Sequence, residues 1–128
     1  MQMTRSLFRR ILSAGAVVAV LAAPAAEAME GAQFRDLIDQ AKTDSGTQAL
    51  LDIYLESLVE GMNTVNFATA PTGRTGVAYC PPSSFPLRKE NARDLILRSP
   101  SYIDGSADKT PVSLVLLIAL RRTFPCRP

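Results

Sequence analysis

Residues 110–126 read TPVSLVLLIALRRTFPC, and this stretch indicates the fold most directly. Thr110 is a good N-cap, and Pro111 suits the first helical position because the N–H that it lacks would have no partner there. The run from Leu114 to Leu120 is apolar on nearly every side. It predicts a helix from Pro111 to about Thr123 that lies at the centre of a helical bundle.

Three further helices are predicted upstream, the first two from apolar residues spaced three and four apart and the third from the helix stop at Ser99-Pro100. The first runs from Gly31 to Lys42, the second from about Thr47 to Val65, and the third from about Leu87 to Arg98. Residues 68–82 hold three prolines and two glycines without a periodic pattern, so we expect a loop there. The sequence therefore predicts an all-α fold, a small bundle of about four helices.

The N-terminus has the pattern of a secretory signal peptide. Three arginines precede an uncharged apolar run over residues 11–23, and Ala26-Glu27-Ala28 reads as a cleavage site. This run of 13 residues is shorter than the about 18–20 residues that span a bilayer. We expect cleavage of residues 1–28, which leaves a single domain over residues 29–128 in the periplasm. The alternative is an uncleaved anchor or a buried N-terminal helix.

The composition excludes several function classes. The chain of 128 residues has no His, which excludes Ser-His-Asp and Cys-His catalysis and imidazole ligands for zinc. Residues 29–128 carry 11 basic and 11 acidic side chains, whereas nucleic-acid binding usually needs clustered basic residues. We therefore expect no metal, no cofactor, no enzymatic activity, no nucleic-acid partner and no membrane contact after cleavage.

The two cysteines, Cys80 and Cys126, are most simply one disulfide in an oxidising compartment. The bridge would join the segment ahead of the third helix to the C-terminal tail, and the chain-entropy model assigns it about 4 kcal/mol of stability. The alternative is a redox pair or a catalytic thiol. Neither cysteine has the Cys-x-x-Cys spacing that lowers a thiol pKa, and the chain has no His to do so.

Charged residues on the predicted helices have a structural and a functional interpretation. Three carboxylates lie four residues apart on the second helix: Asp52, Glu56 and Glu60. They could serve acid–base chemistry or a metal, but their angular distance from the apolar stripe favours a solvated helix face. On the third helix, helical spacing predicts the surface ion pairs Glu90–Arg93 and Asp94–Arg98.

Short motifs in residues 50–128 occur in a characteristic order. Tyr54-Leu55 lies on the second helix, Tyr79-Cys80-Pro81-Pro82 precedes the third, and Ala119-Leu120 is followed by Phe124-Pro125-Cys126. This layout resembles the Tai/Rap family of type VI secretion immunity proteins. Ser57 stands where the family has Gly, and the second cysteine pair that members often carry is absent from this sequence.

The resemblance implies a small helical periplasmic protein, often a homodimer, that binds a peptidoglycan amidase effector and occludes its active site without catalysis of its own. A surface loop would enter the cleft of the effector, either Ala68 to Tyr79 or Ser101 to Lys109. In the first loop the candidate contact residues are Arg74, Thr75 and Tyr79. The alternative function is a periplasmic stress chaperone of the HdeA kind, or another non-catalytic periplasmic binding protein.

Overall fold

A computed structural model describes residues 27–69 and 77–126, and its regular secondary structure is helical. Within these ranges there are five helices: α1 (Gly31–Ala41), α2 (Ser45–Thr69), α3 (Lys89–Leu97), α4 (Pro100–Ile103) and α5 (Val112–Thr123). The prediction of a small all-α bundle is confirmed, and the short α4 is added to it. Residues 1–26, which hold almost all of the predicted signal peptide, lie outside the described residues. None of the described helices is both long enough and apolar enough to span a membrane.

The helices share one hydrophobic core. α1 packs on α2, α2 packs on α3, and α5 packs on both α3 and α1. The apolar residues predicted along the helices supply about half of the buried apolar side chains, including Phe34, Ile38, Leu51, Leu55, Val115, Leu116 and Leu120. Burial of a Leu or Phe side chain stabilises a fold by about 1.5–3 kcal/mol, so these residues provide the main driving force for the bundle.

Side chains near the helix starts satisfy N–H groups that have no partner within the helix. At α1 the Glu30 N–H donates to Gln33 Oε1 at 3.0 Å. At α2 the Asp44 carboxylate accepts the Thr47 N–H at 2.9 Å and so caps the start of the helix. At α3 the Arg88 N–H donates to the side-chain oxygen of Asn91 at 2.6 Å.

Two helix boundaries differ from the prediction. α2 extends from Ser45 to Thr69, beyond both predicted ends, and takes in Ala68, which was assigned to the loop. α5 begins at Val112 rather than Pro111, because Pro111 is extended and pairs with Glu30 in a single antiparallel bridge. A tertiary contact therefore overrides the local preference of proline for the first helical position.

The prediction that α5 is enclosed on all sides is only partly correct. Val115, Leu116 and Leu120 are at most 2% exposed, but Leu114 is 45% exposed and Ile118 is 40% exposed. The neighbours α3 and α1 cover one side of this helix, and its opposite row of apolar residues faces outward. The apolar sequence of α5 thus contributes both to the core and to the surface.

Candidate partner-binding site

The disulfide predicted between Cys80 and Cys126 is present, with an S–S distance of 2.07 Å and a Cα–Cα distance of 4.9 Å. Beside it the Cys80 N–H donates to the Phe124 carbonyl at 2.9 Å, and the Phe85 and Phe124 rings lie 4.6 Å apart. The bridge therefore fastens the irregular segment ahead of α3 to the end of α5. It holds together two residues that are 46 positions apart in the sequence.

Asn66, on α2, positions the backbone just ahead of Cys80. Its side-chain oxygen accepts the N–H groups of Ala78 and Tyr79 at 3.2 and 3.3 Å, and its side-chain nitrogen donates to the Tyr79 carbonyl at 3.0 Å. A single amide thus satisfies three backbone groups of an irregular segment. No sequence pattern singles out Asn66, because Asn63 lies one turn earlier on the same helix and shows the same residue type.

The three candidate contact residues of the first loop have different positions. Arg74 and Thr75 lie outside the described residues. Tyr79 is 2% exposed, and burial raises the pKa of its hydroxyl. Because so little of its surface reaches solvent, Tyr79 is a core residue in this structure, and the proposed contact of this loop with a partner falls to its other residues.

An apolar groove of about 360 Å³ lies between α2 and α5, next to Tyr79. Its walls include Leu58, Met62 and Val65 of α2 and Leu117 of α5. The Tyr79 hydroxyl has no hydrogen-bond partner among the described residues. The groove explains why the apolar stripe predicted for α2 ends in exposed rather than buried residues, with Val65 58% exposed.

The second candidate loop, Ser101 to Lys109, is held against α1 by Arg35. One guanidinium nitrogen of Arg35 donates to the Tyr102 carbonyl at 2.7 Å and to the Asp108 carboxylate at 3.1 Å. The same guanidinium lies 4.2 Å from the centre of the Tyr102 ring, within the range of a cation–π contact. Arg35 thus contacts both ends of the loop, a role that its position on a helix face does not reveal in the sequence.

The backbone of this loop also caps α1. The Gly31 N–H donates to the Thr110 carbonyl at 3.0 Å, and the Ala32 N–H donates to the Asp108 carbonyl at 3.1 Å. The approach is so close that a Cβ atom on Gly31 would lie 2.3 Å from the Ala107 carbonyl oxygen. Only glycine fits at this position, since the obstacle is backbone rather than a movable side chain.

The loop turns at Gly105, whose φ of 79° is in the region that favours glycine. Just before the turn, Ile103 is 68% exposed. The Asp104 carboxylate accepts the Ser106 N–H at 2.8 Å, and hydrogen bonds from Ser106 hold the pKa of Asp104 below its ordinary value. The loop therefore presents an exposed isoleucine and an ionised carboxylate on a backbone that contacts with α1 hold in place.

Two carboxylates of α2 form ion pairs with a lysine of α3. Lys89, at the start of α3, lies 2.9 Å from Glu56 and 3.3 Å from Asp52. Hydrogen bonds to Glu56 and Asp52 raise the pKa of Lys89. In the described part of the chain, no three acidic or cysteine side chains come together in a way that could hold a metal ion. Asp52 and Glu56 thus help to join α2 to α3 rather than forming a simple solvated face.

The two ion pairs predicted along α3 do not form. Among the described residues, no salt bridge joins Glu90 to Arg93 or Asp94 to Arg98. The helical spacing is correct, since all four residues lie on or beside α3. The prediction is wrong because surface charges can remain solvated at little cost, and a pair of this spacing stabilises a helix by only about 0.2–0.5 kcal/mol.

Comparisons with protein-family models, with curated proteins and with solved structures return no match for this chain. The resemblance to the Tai/Rap family therefore stays a prediction from the sequence motifs, beside a fold and a disulfide that the structure confirms.

Proposed function

We propose that this protein is a periplasmic immunity-type protein that binds a peptidoglycan amidase effector of type VI secretion and occludes its active site. The proposal combines the motif resemblance with a surface suited to insertion into a cleft. In this mechanism the protein performs no catalysis, needs no cofactor and could act as a monomer or a homodimer.

The observation that carries the proposal is the fixed conformation of the Ser101–Lys109 loop. Arg35 holds it from α1 through two hydrogen bonds and a cation–π contact, and Gly31 permits the close backbone approach. A loop that is already ordered loses little conformational entropy when it binds. Ile103, 68% exposed near its tip, could then supply an apolar anchor of the kind that dominates protein interfaces.

The test is inhibition of peptidoglycan hydrolysis by a type VI amidase, with an amidase encoded beside this chain as the first effector to try. We expect the purified protein to inhibit the enzyme at a stoichiometric ratio. Ile103→Asp should weaken inhibition at least about tenfold, which corresponds to 1.4 kcal/mol of binding free energy. Ile53→Asp is the matched control, because Ile53 lies on α2 and is similarly exposed, at 61%.

The first loop is tested in the same assay with Arg74→Ala and with a shortened 70–77 segment. If these variants lose inhibition while Ile103→Asp retains it, the inserted loop is Ala68 to Tyr79 rather than Ser101 to Lys109. If the unaltered protein leaves hydrolysis unchanged for the adjacent amidase and for representative type VI amidases, the immunity function is wrong.

A stress chaperone is a second candidate because apolar side chains are exposed along α2 and its ion pairs depend on carboxylates. Leu50, Ile53 and Phe67 are 62%, 61% and 81% exposed. The junction between α2 and α3 includes the ion pairs of Lys89 with Asp52 and Glu56. An aggregation assay at about pH 2–3, below the ordinary pKa of Asp and Glu, separates the functions. Broad protection of unrelated proteins supports the chaperone, and a specific inhibitor gives none.

A further inference from the structure

Charge is unevenly distributed in this protein although residues 29–128 are neutral as a whole. Residues 29–69, which form α1 and α2, carry two basic and seven acidic side chains. Residues 77–126, which form α3 to α5, carry seven basic and four acidic side chains. The zero net charge therefore conceals an acidic half and a basic half, and each half can attract a partner surface of the opposite sign.

Two arginines of the basic half line one groove of about 330 Å³ where α3 ends beside α5. We name it the arginine groove. Arg98 comes directly after α3, and Arg122 lies in the last turn of α5. Leu95 and the 40%-exposed Ile118 provide apolar surface in the same groove. Within the described ranges, neither guanidinium has a carboxylate within salt-bridge distance.

The arginine groove borders the Ser101–Lys109 loop. Ser101 belongs to both, and Ser99 and Pro100 connect the wall of the groove to the start of α4. A partner that contacts the start of this loop could thus extend into the groove. The absence of the Asp94–Arg98 pair matters here, because Arg98 stays available to a carboxylate from another molecule.

We propose that the arginine groove is the docking site for an acidic segment of a protein partner. Carboxylates of the partner bind Arg98 and Arg122, and an apolar side chain of the partner packs on Ile118. That the partner is a protein rests on the proposed function. Arginine suits this role because its planar guanidinium can bind a carboxylate through two parallel hydrogen bonds. The apolar surface that Leu95 and Ile118 add to the groove favours a peptide segment over a small inorganic anion.

The experiment uses two synthetic peptides, acetyl-GELEEG-amide and its uncharged counterpart acetyl-GQLQQG-amide. Each is titrated into the 15N-labelled protein at low ionic strength, where electrostatic attraction extends about 30 Å. We expect shifts in the backbone amide signals of Ser99, Ile118 and Arg122 with the acidic peptide only. The double variant Arg98→Gln/Arg122→Gln should bind about tenfold more weakly, from the loss of two exposed charge pairs.

Arg121→Gln is the matched control. Arg121 lies beside Arg122 in the last turn of α5 but does not line the groove. Arg121→Gln removes one positive charge, as each substitution of the double variant does, and should bind the peptide almost as well as the unaltered protein. Equal binding of the two peptides, equal weakening by Arg121→Gln, or shifts confined to other surfaces would overturn the inference. Binding to vesicles of anionic lipid without binding to the peptide would overturn it as well.

None of these measurements needs an effector, so the docking site can fail while amidase inhibition succeeds. Where an effector is in hand, the same two variants enter the hydrolysis assay. Loss of inhibition in Arg98→Gln/Arg122→Gln but not in Arg121→Gln supports the groove as part of the interface. Full inhibition by the double variant would remove the groove from the interface and leave the proposed function standing.

Discussion

Single residues with backbone contacts hold the irregular parts of this molecule in place. Asn66 satisfies three backbone groups beside the disulfide, and Arg35 contacts both ends of the Ser101–Lys109 loop. Gly31 lets that loop lie directly on the start of α1. Each of these residues acts between segments that are distant in the sequence, so their replacement should affect particular loops more than the helices.

Gly31→Ala should destabilise the protein by about 2–3 kcal/mol, because the new Cβ would meet a backbone oxygen that cannot move aside easily. Gly61→Ala is the control with the same chemical change. Gly61 lies within α2, and apart from the neighbouring backbone of its own helix no atom would lie within 4 Å of an added Cβ. Alanine there should therefore stabilise the helix by about 0.5–1 kcal/mol. Urea unfolding of both variants measures the change in unfolding free energy, which should be negative for Gly31→Ala and positive for Gly61→Ala. A loss of stability in Gly61→Ala as large as that in Gly31→Ala would contradict the explanation.

Asn66→Ala should lower the free energy of unfolding by about 2 kcal/mol, since it leaves backbone groups of Ala78 and Tyr79 without their partner. Asn63→Ala, an exposed change one turn earlier on α2, should stay within about 0.5 kcal/mol. Hydrogen exchange provides a local check, because the amides of Ala78 and Tyr79 should exchange faster in the first variant alone. Unchanged protection of both amides would show that other contacts hold the segment.

The helices and their connections divide the molecule into two differently supported parts. α1 and α2 are joined by a short capped turn and by packing, as in the contact between the Phe34 and Tyr54 rings, whose centres lie 6.0 Å apart. The segment from Cys80 to Cys126 contains α3, α4 and α5 and is closed by the disulfide. The covalent constraint thus acts on the half of the chain that carries the Ser101–Lys109 loop and the arginine groove.

Cys80→Ser/Cys126→Ser should lower the free energy of unfolding by about 2–4 kcal/mol, with the chain-entropy value of about 4 kcal/mol as the upper end. The unaltered protein should lose a similar amount in reducing agent, whereas the double variant should be insensitive to it. Amides near the Cys80–Phe124 hydrogen bond should exchange faster, while those within α1 keep their protection. Equal stability of the variant and the oxidised protein would contradict the structural role of the bridge.

At the scale of the whole molecule, stability should depend on pH only at the extremes. Three carboxyl groups have pKa values below the ordinary value because they accept hydrogen bonds from nearby residues: Asp39 from Lys42, Asp44 from Thr47, and Asp104 from Ser106. A carboxyl with a lowered pKa in the folded state stabilises the fold at pH values above its unfolded pKa. That contribution is lost as the pH falls through the folded pKa.

At high pH the dependence of stability on pH has the opposite sign. Hydrogen bonds to Glu56 and Asp52 raise the pKa of Lys89, and burial raises the pKa of the Tyr79 and Tyr102 hydroxyls. These groups stabilise the fold fully below their unfolded pKa values. The contribution declines as the pH rises through the higher folded values.

We therefore expect nearly constant stability between about pH 5 and pH 9, with losses below and above that window. The chain has no His, so no side chain with an ordinary pKa titrates near neutrality. Urea unfolding at a series of pH values tests this expectation. A large change in unfolding free energy around pH 6–7 would contradict it.

The sequence by itself determined the helical class, about half of the buried apolar core and the disulfide. Apolar spacing identifies the buried residues of α1 and of the first half of α2 because that spacing reports on one helix at a time, and a chain with two cysteines leaves one simple pairing. Only the tertiary structure decided which helices meet. It paired Lys89 with α2 rather than extending the charge pattern of α3, and it moved the start of α5 past Pro111. These outcomes depend on contacts between residues far apart in the chain, which local periodicity does not encode.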